Sequence, residues 1–167
     1  MSKSMYATVI FLMLAVAGCG GAGAPECTAS EALQKQFGSL AAMSGLAEMK
    51  TMLVEDASLV HSRINGTNDE RPIHWAALSG NTDVVTLLLD NGAEIDAVDA
   101  QGLTALHWAA WQGQMEVARQ LVGKGATVDM VSVAGNTPLD RAISDGHQDV
   151  ADYLTSVGAK IGSELTE

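Results

Sequence analysis

The side chains best suited to chemistry in this chain are His61, His74, His107 and His147, the cysteines Cys19 and Cys27, and the carboxylates Asp96 and Asp99. A metalloprotease would need His-Glu-x-x-His, a redox pair Cys-x-x-Cys, and a serine hydrolase a Gly-x-Ser-x-Gly turn; none of them occurs. Gly18-Cys19-Gly20-Gly21-Ala22-Gly23 satisfies Gly-x-Gly-x-x-Gly. It leads into Pro25 without the βαβ unit that a dinucleotide loop requires, so it is rejected as one. Asp96 and Asp99 could approach each other on one loop, an arrangement common on solvated hairpins. The chemistry-bearing residues therefore point away from an enzyme, and no catalytic residue, cofactor, metal or small-molecule substrate is expected.

What positions these residues is a repeat. Gly80, Gly113 and Gly146 recur at a spacing of 33 residues, as do Gly92, Gly125 and Gly158, each followed by alanine. Pro72-Ile73-His74-Trp75-Ala76-Ala77, Ala105-Leu106-His107-Trp108-Ala109-Ala110 and Pro138-Leu139-Asp140-Arg141-Ala142-Ile143 share that register. A fixed period of this length describes one supersecondary unit stacked on copies of itself. Asn81 to Leu89 reads as an amphipathic helix with Val84, Val85, Leu87, Leu88 and Leu89 on a broad buried stripe. Pro72 and Pro138 suit a first helical turn, where no N–H is missed.

These residues resemble the ankyrin family: Asp99-Ala100-Gln101-Gly102-Leu103-Thr104-Ala105-Leu106-His107-Trp108-Ala109-Ala110 is the best copy, continuing to Gly125-Ala126. The resemblance implies an all-α repeat solenoid of helix-turn-helix units joined by β-hairpin-like loops. Three clear repeats fall at 65–97, 98–130 and 131–161, with a polar tail at 162–167. Before them, 28–64 reads as a capping helix, from a Thr28-Ala29-Ser30-Glu31 capping box to about Phe37, and a degenerate repeat in which Ala41 to Gly45 and Leu53-Val54 fit. Two departures stand out: Asp69 where glycine is usual, and Asp140 in place of the family histidine. By the resemblance, His74 and His107 hydrogen-bond backbone between neighbouring loops, and His147 follows the repeat glycine at another common family site. His61 is left without a reading.

The segment before the array has its own logic. Lys3 precedes a run of 11 mostly apolar residues, Ala7 to Ala17, too short to span a bilayer as a helix. It ends in Val16-Ala17-Gly18-Cys19, which resembles a bacterial lipobox. The resemblance implies a signal peptide at 1–18, cleavage before Cys19 and acylation there. Residues 19–27 would then be the lipidated cysteine and a flexible tether, Gly20 to Pro25. Gly20 after the cysteine implies sorting to the outer membrane, facing the periplasm in a Gram-negative host. Cys27 then has no partner within the chain.

The full chain carries 9 basic and 20 acidic residues, and loss of residues 1–18 removes only Lys3 among them. Such an excess of carboxylate argues against nucleic acid and against adhesion to anionic lipid headgroups. Membrane attachment would depend on acyl chains at Cys19, and two or more chains anchor stably.

The ankyrin resemblance implies a concave surface of hairpin tips and first helices, and the function favoured is capture of another protein there, with an acidic structural spacer as the alternative. The expected face comprises Trp75, Leu78, Leu103, Trp108, Trp111, Gln112, Met130 and Val133. Trp75 and Trp108 occupy equivalent positions and should sit side by side, with Arg141 next in that row; inter-repeat packing is the competing role for both. Trp111 lies three residues beyond Trp108, at a position not needed between repeats. Together with Leu103 and Met130 it should form one patch.

Overall fold

The computed structural model describes residues 29–43, 45–64 and 68–165. Helices α1 (Ala29–Ala42), α3 (Pro72–Leu78), α5 (Ala105–Trp111) and α7 (Pro138–Ser144) form one row, each packed on the next. Helices α2 (Leu46–Glu55), α4 (Thr82–Asp90), α6 (Met115–Gly123) and α8 (Gln148–Ser156) form a second row behind it. A 3₁₀ turn, Ala57–His61, follows α2, and a short helix α9, Gly162–Leu165, closes the array. No strand is formed among the described residues. This is the all-α solenoid of stacked helix pairs that the 33-residue period implies.

The packing repeats with the sequence. Ile73, Leu106 and Leu139, at one register position, are all buried, as are Val84, Val117 and Val150, and Leu88, Leu121 and Leu154. Each such side chain contributes about 1.5–3 kcal/mol by leaving water. Ala76, Ala77, Ala109, Ala110 and Ala142 have no exposed surface. Their small side chains let the first-row helices pack closely. Leu87 and Leu89 are only half-buried, so the stripe of α4 is narrower than its sequence suggests.

The loops earn the description hairpin-like through their backbone bonds. Ile64 N–H reaches Glu70 O, Asp99 N–H reaches Leu103 O, and Ser132 N–H reaches Asn136 O, closing three tips. Ala100 N–H to Asn68 O and Val133 N–H to Gln101 O then join successive tips. Each tip turns at a residue with positive φ: Gly102 (73°), Gly135 (83°) and, in the first, Asp69 (52°). A side chain in that left-handed region is strained. Asp69 occupies it with its carboxylate on the Arg63 guanidinium at 2.6 Å.

The N-terminal region differs from expectation. One helix, α1, spans both the capping helix and the start of the degenerate repeat, with Phe37 and Ala41 fully buried. Phe37 is therefore mid-helix rather than a terminus. Met49 and Leu53 are buried, whereas Val54 is 88 % exposed and takes no part in the core. The residues after the third repeat are also more than a tail: Gly162 is buried and α9 begins there. Cys19, Cys27, Thr28 and the segment read as a signal peptide and tether lie outside the described residues.

Candidate protein-binding face

The residues with catalytic potential are used to hold repeats together. His74 accepts the Arg71 N–H on Nδ1 at 3.0 Å and lies 2.9 Å from Ala97 O through Nε2. His107 repeats the geometry, with Thr104 N–H at 3.1 Å and Asn136 O at 3.2 Å. A backbone donor at Nδ1 requires a lone pair there, so each ring is the neutral tautomer with its proton on Nε2. Burial pushes both imidazoles below their usual pKa range, against the opposing effect of the carbonyl bonds.

Asp140 solves the same problem differently. Its Oδ2 accepts Thr137 N–H at 2.8 Å, as a histidine Nδ1 would. The same oxygen accepts Gly162 N–H at 2.8 Å, where a histidine would donate onward to another loop. Burial alone would raise this carboxyl, but the bonds from Thr137 and Gly162 outweigh it and hold it below the usual carboxylate range. Gly162 approaches so closely that a Cβ there would collide with the Gly135 carbonyl.

His147 donates from Nε2 to Trp111 O at 3.0 Å. Gln114, one period earlier, donates to Leu78 O at 3.0 Å, and Asn81, another period earlier, to Ala41 O at 3.3 Å. Each satisfies a carbonyl at the C-terminal end of the preceding first-row helix, where intrahelical donors run out. Asp96 and Asp99 do not act as a pair. Asp96 accepts from Thr127 N–H and hydroxyl, while Asp99 accepts Gln101 and Leu103 N–H and the Trp108 indole. His61 is exposed at the end of the 3₁₀ turn. No group of three or more His, Cys, Asp or Glu that could hold a metal occurs among the described residues.

The tryptophans form one connected row. The Trp75 and Trp108 rings lie 6.0 Å apart, and Trp108 meets Trp111 edge-on, also at 6.0 Å. Trp108 is buried, with its N–H on Asp99 at 3.0 Å, and so lies beneath the surface. Trp75 is half-buried with its N–H on Glu70 at 3.2 Å. Trp111, at the end of α5, is 38 % exposed. The Arg141 guanidinium lies 5.2 Å above its ring, so Trp111 does contribute between repeats, by about 0.5–1 kcal/mol at an exposed site. This corrects the expectation of an unused side chain.

Leu103 and Val133 line one groove between the second and third tips, with Ser132, Asn136 and Arg141. Arg141 thus connects that groove to Trp111. Met130 is half-buried and is not part of the groove lining. Leu78 is half-buried against the core, and Gln112 is exposed beside Trp111. Trp108 is grouped with the surface residues by its register because tryptophan there carries no sign of the buried Asp99 partner. Register alone does not place Arg141 over Trp111, which depends on how far α7 sits from α5.

The family model for ankyrin repeats matches residues 38–132 and 73–164, well over half of the chain. This chain belongs to the ankyrin-repeat family. Ankyrin arrays are protein-interaction modules. Among curated proteins, the chain is 53 % identical over 34 residues to the human (Homo sapiens) palmitoyltransferase ZDHHC17, and 50 % identical over 34 residues to the rat (Rattus norvegicus) protein of the same name. Those stretches are 20 % of this chain and about 5–6 % of the relatives. A match of that length is one ankyrin unit. No helix among the described residues is long and apolar enough to cross a membrane.

Proposed function

We propose that this ankyrin-repeat protein is a lipid-anchored component of a bacterial envelope whose concave face captures another protein without catalysis. The observation that carries the reading is Trp111. Its ring is held from two sides, by Trp108 and Arg141, while more than a third of it faces solvent. A large aromatic already immobilised loses little entropy when a partner covers it, which is the property of a binding hot spot. Leu103, Val133 and Met130 extend the face toward the hairpin tips, Gln112 adjoins Trp111 at the end of α5, and Trp75 and Leu78 lie on the N-terminal side, with Trp108 supporting from below.

Anchoring follows from Val16-Ala17-Gly18-Cys19, which supports cleavage and acylation at Cys19, and from the Gly-rich tether after it. The favoured location is the outer membrane, facing the periplasm. Affinity capture from envelope extracts, wild type against Trp111→Ala, tests the reading. A client lost only in the variant supports it. A client held equally by both forms refutes the face, and no client with either favours an acidic spacer. Metabolic acyl labelling of Cys19→Ser tests the anchor separately, and retained label would refute it.

A further inference from the structure

In the first two complete repeats, the first-row tryptophan donates its indole N–H to a carboxylate of the loop before it: Trp75 to Glu70, and Trp108 to Asp99. The third repeat breaks this pattern on both sides. Arg141 stands at the tryptophan position. Asn136 stands at the position of Glu70, and Ser132 at that of Asp99. A stronger donor has been kept, and both acceptor positions have become neutral.

Among the described residues, Arg141 consequently has no carboxylate partner. Ion pairs among the described residues join Arg63 to Asp69, Arg71 to Glu94 and Lys124 to Asp90, and Arg141 is in none of them. Its Nε is buried without a hydrogen-bond partner, an unfavourable state for a charged donor. The guanidinium lines the groove with Leu103, Ser132, Val133 and Asn136 and lies over the Trp111 ring, its carbon 5.2 Å from the ring centre.

We infer that this groove receives a glutamate or aspartate side chain of an extended partner segment, its carboxylate seated on Arg141 as Glu70 and Asp99 are seated on the tryptophans of their own repeats. The inference rests on the capture reading above and supplies the chemistry of the captured segment. The cation–π contact with Trp111 restrains the guanidinium, so that a two-pronged contact with a carboxylate costs little further ordering. Val133, 82 % exposed, and Leu103 flank the cation and suit an apolar residue next to the acid. With a net charge of −11, much of the molecule repels an acidic segment, so this cation also sets where on the array it docks.

The test is selection of a displayed random-peptide library on the full chain, followed by titration calorimetry with the recovered peptides. Expected are peptides with an internal Glu or Asp beside an aliphatic or aromatic residue. Changing that Glu to Gln, or Asp to Asn, should weaken binding about tenfold or more. Arg141→Gln should do the same, and Arg141→Lys should restore part of the affinity. The peptide-side change leaves the protein untouched and decides the matter even where Arg141→Gln disturbs folding. Recovered peptides without an acid, peptides held by a terminal carboxylate, or indifference to Glu→Gln would each overturn the inference. If such acid-independent peptides are still lost with Trp111→Ala, capture at this face stands and only its acidic chemistry falls. Recovery of no peptide overturns the inference, while capture is judged by the client experiment.

Discussion

The Trp108 indole N–H donates to Asp99 Oδ2 at 3.0 Å inside the central repeat, tying a first-row helix to the loop that precedes it. The other oxygen of Asp99 accepts Gln101 and Leu103 N–H, both at 2.9 Å, so one carboxylate sets the turn and steers the ring. Asp99→Ala leaves three donors without their acceptor. Loss of about 2–4 kcal/mol is expected, since a buried polar group costs about 1–3 kcal/mol when unpaired and water can reach some of these. Asp99→Asn keeps the shape and one acceptor and should cost less than half as much. Urea unfolding of the two variants checks the order.

Acid should loosen the stack in two stages. His74 and His107 have folded pKa values lowered by burial, so below the unfolded value of about 6.5 the unfolded chain binds more protons than the folded one. Their contribution is fully present above about pH 6.5 and is lost as pH falls toward the depressed folded values. The carboxyl of Asp140 is also depressed, so its contribution persists above the ordinary Asp value of about 3.9 and disappears below it. Melting temperatures should fall from pH 7.5 to 5 and again below 4. In a His74→Asn, His107→Asn double variant, the first fall should shrink; an unchanged first fall would assign it to other groups.

Asp140→His tests the joint between the third repeat and α9. The new ring could accept Thr137 N–H as His107 accepts Thr104 N–H, but its Nε2–H would face the Gly162 N–H, donor against donor. Restoring the family residue should therefore destabilise this chain, by about 1–3 kcal/mol. Hydrogen exchange should show the loss concentrated in α7 to α9. A variant as stable as wild type would mean that Gly162 finds another acceptor.

Leu106 is buried at the centre of the array, and Leu165 is 37 % exposed in α9. Leu106→Ala should cost about 2–5 kcal/mol through lost burial and a cavity felt by the repeats on both sides. Leu165→Ala should cost well under half of that. Thermal shifts of similar size for the two would contradict the packing described.

The fold was legible because the period is strict where packing is strict: Ile73, Leu106 and Leu139 share a register, a neighbourhood and a residue class. Legibility fell where a role can be met by unlike residues. Gly38, directly after Phe37, reads as a helix stop, yet the helix runs through it to Ala42. Val54 looks like a partner of Leu53 by type, yet it points away from the core. The Trp75–Trp108 pairing followed from register alone, while the placement of Arg141 over Trp111 and the closure of Asp140 on Gly162 depend on backbone approach between segments. A charge on a helix also reads as solvated until its missing acceptors are counted, which is why Arg141 attracts notice only beside Trp75 and Trp108.

Asn81, Gln114 and His147 each bring an N–H to the carbonyl end of the preceding first-row helix with three different side chains. What each joint requires is a donor at a given reach, so copies of the unit can drift apart by mutation while the stack keeps its pitch. That divergence has a use during folding. Identical units could slip by one place and still pair well. Rungs of unequal length fit best in a single order, so variety among the joints guards the alignment of the whole array.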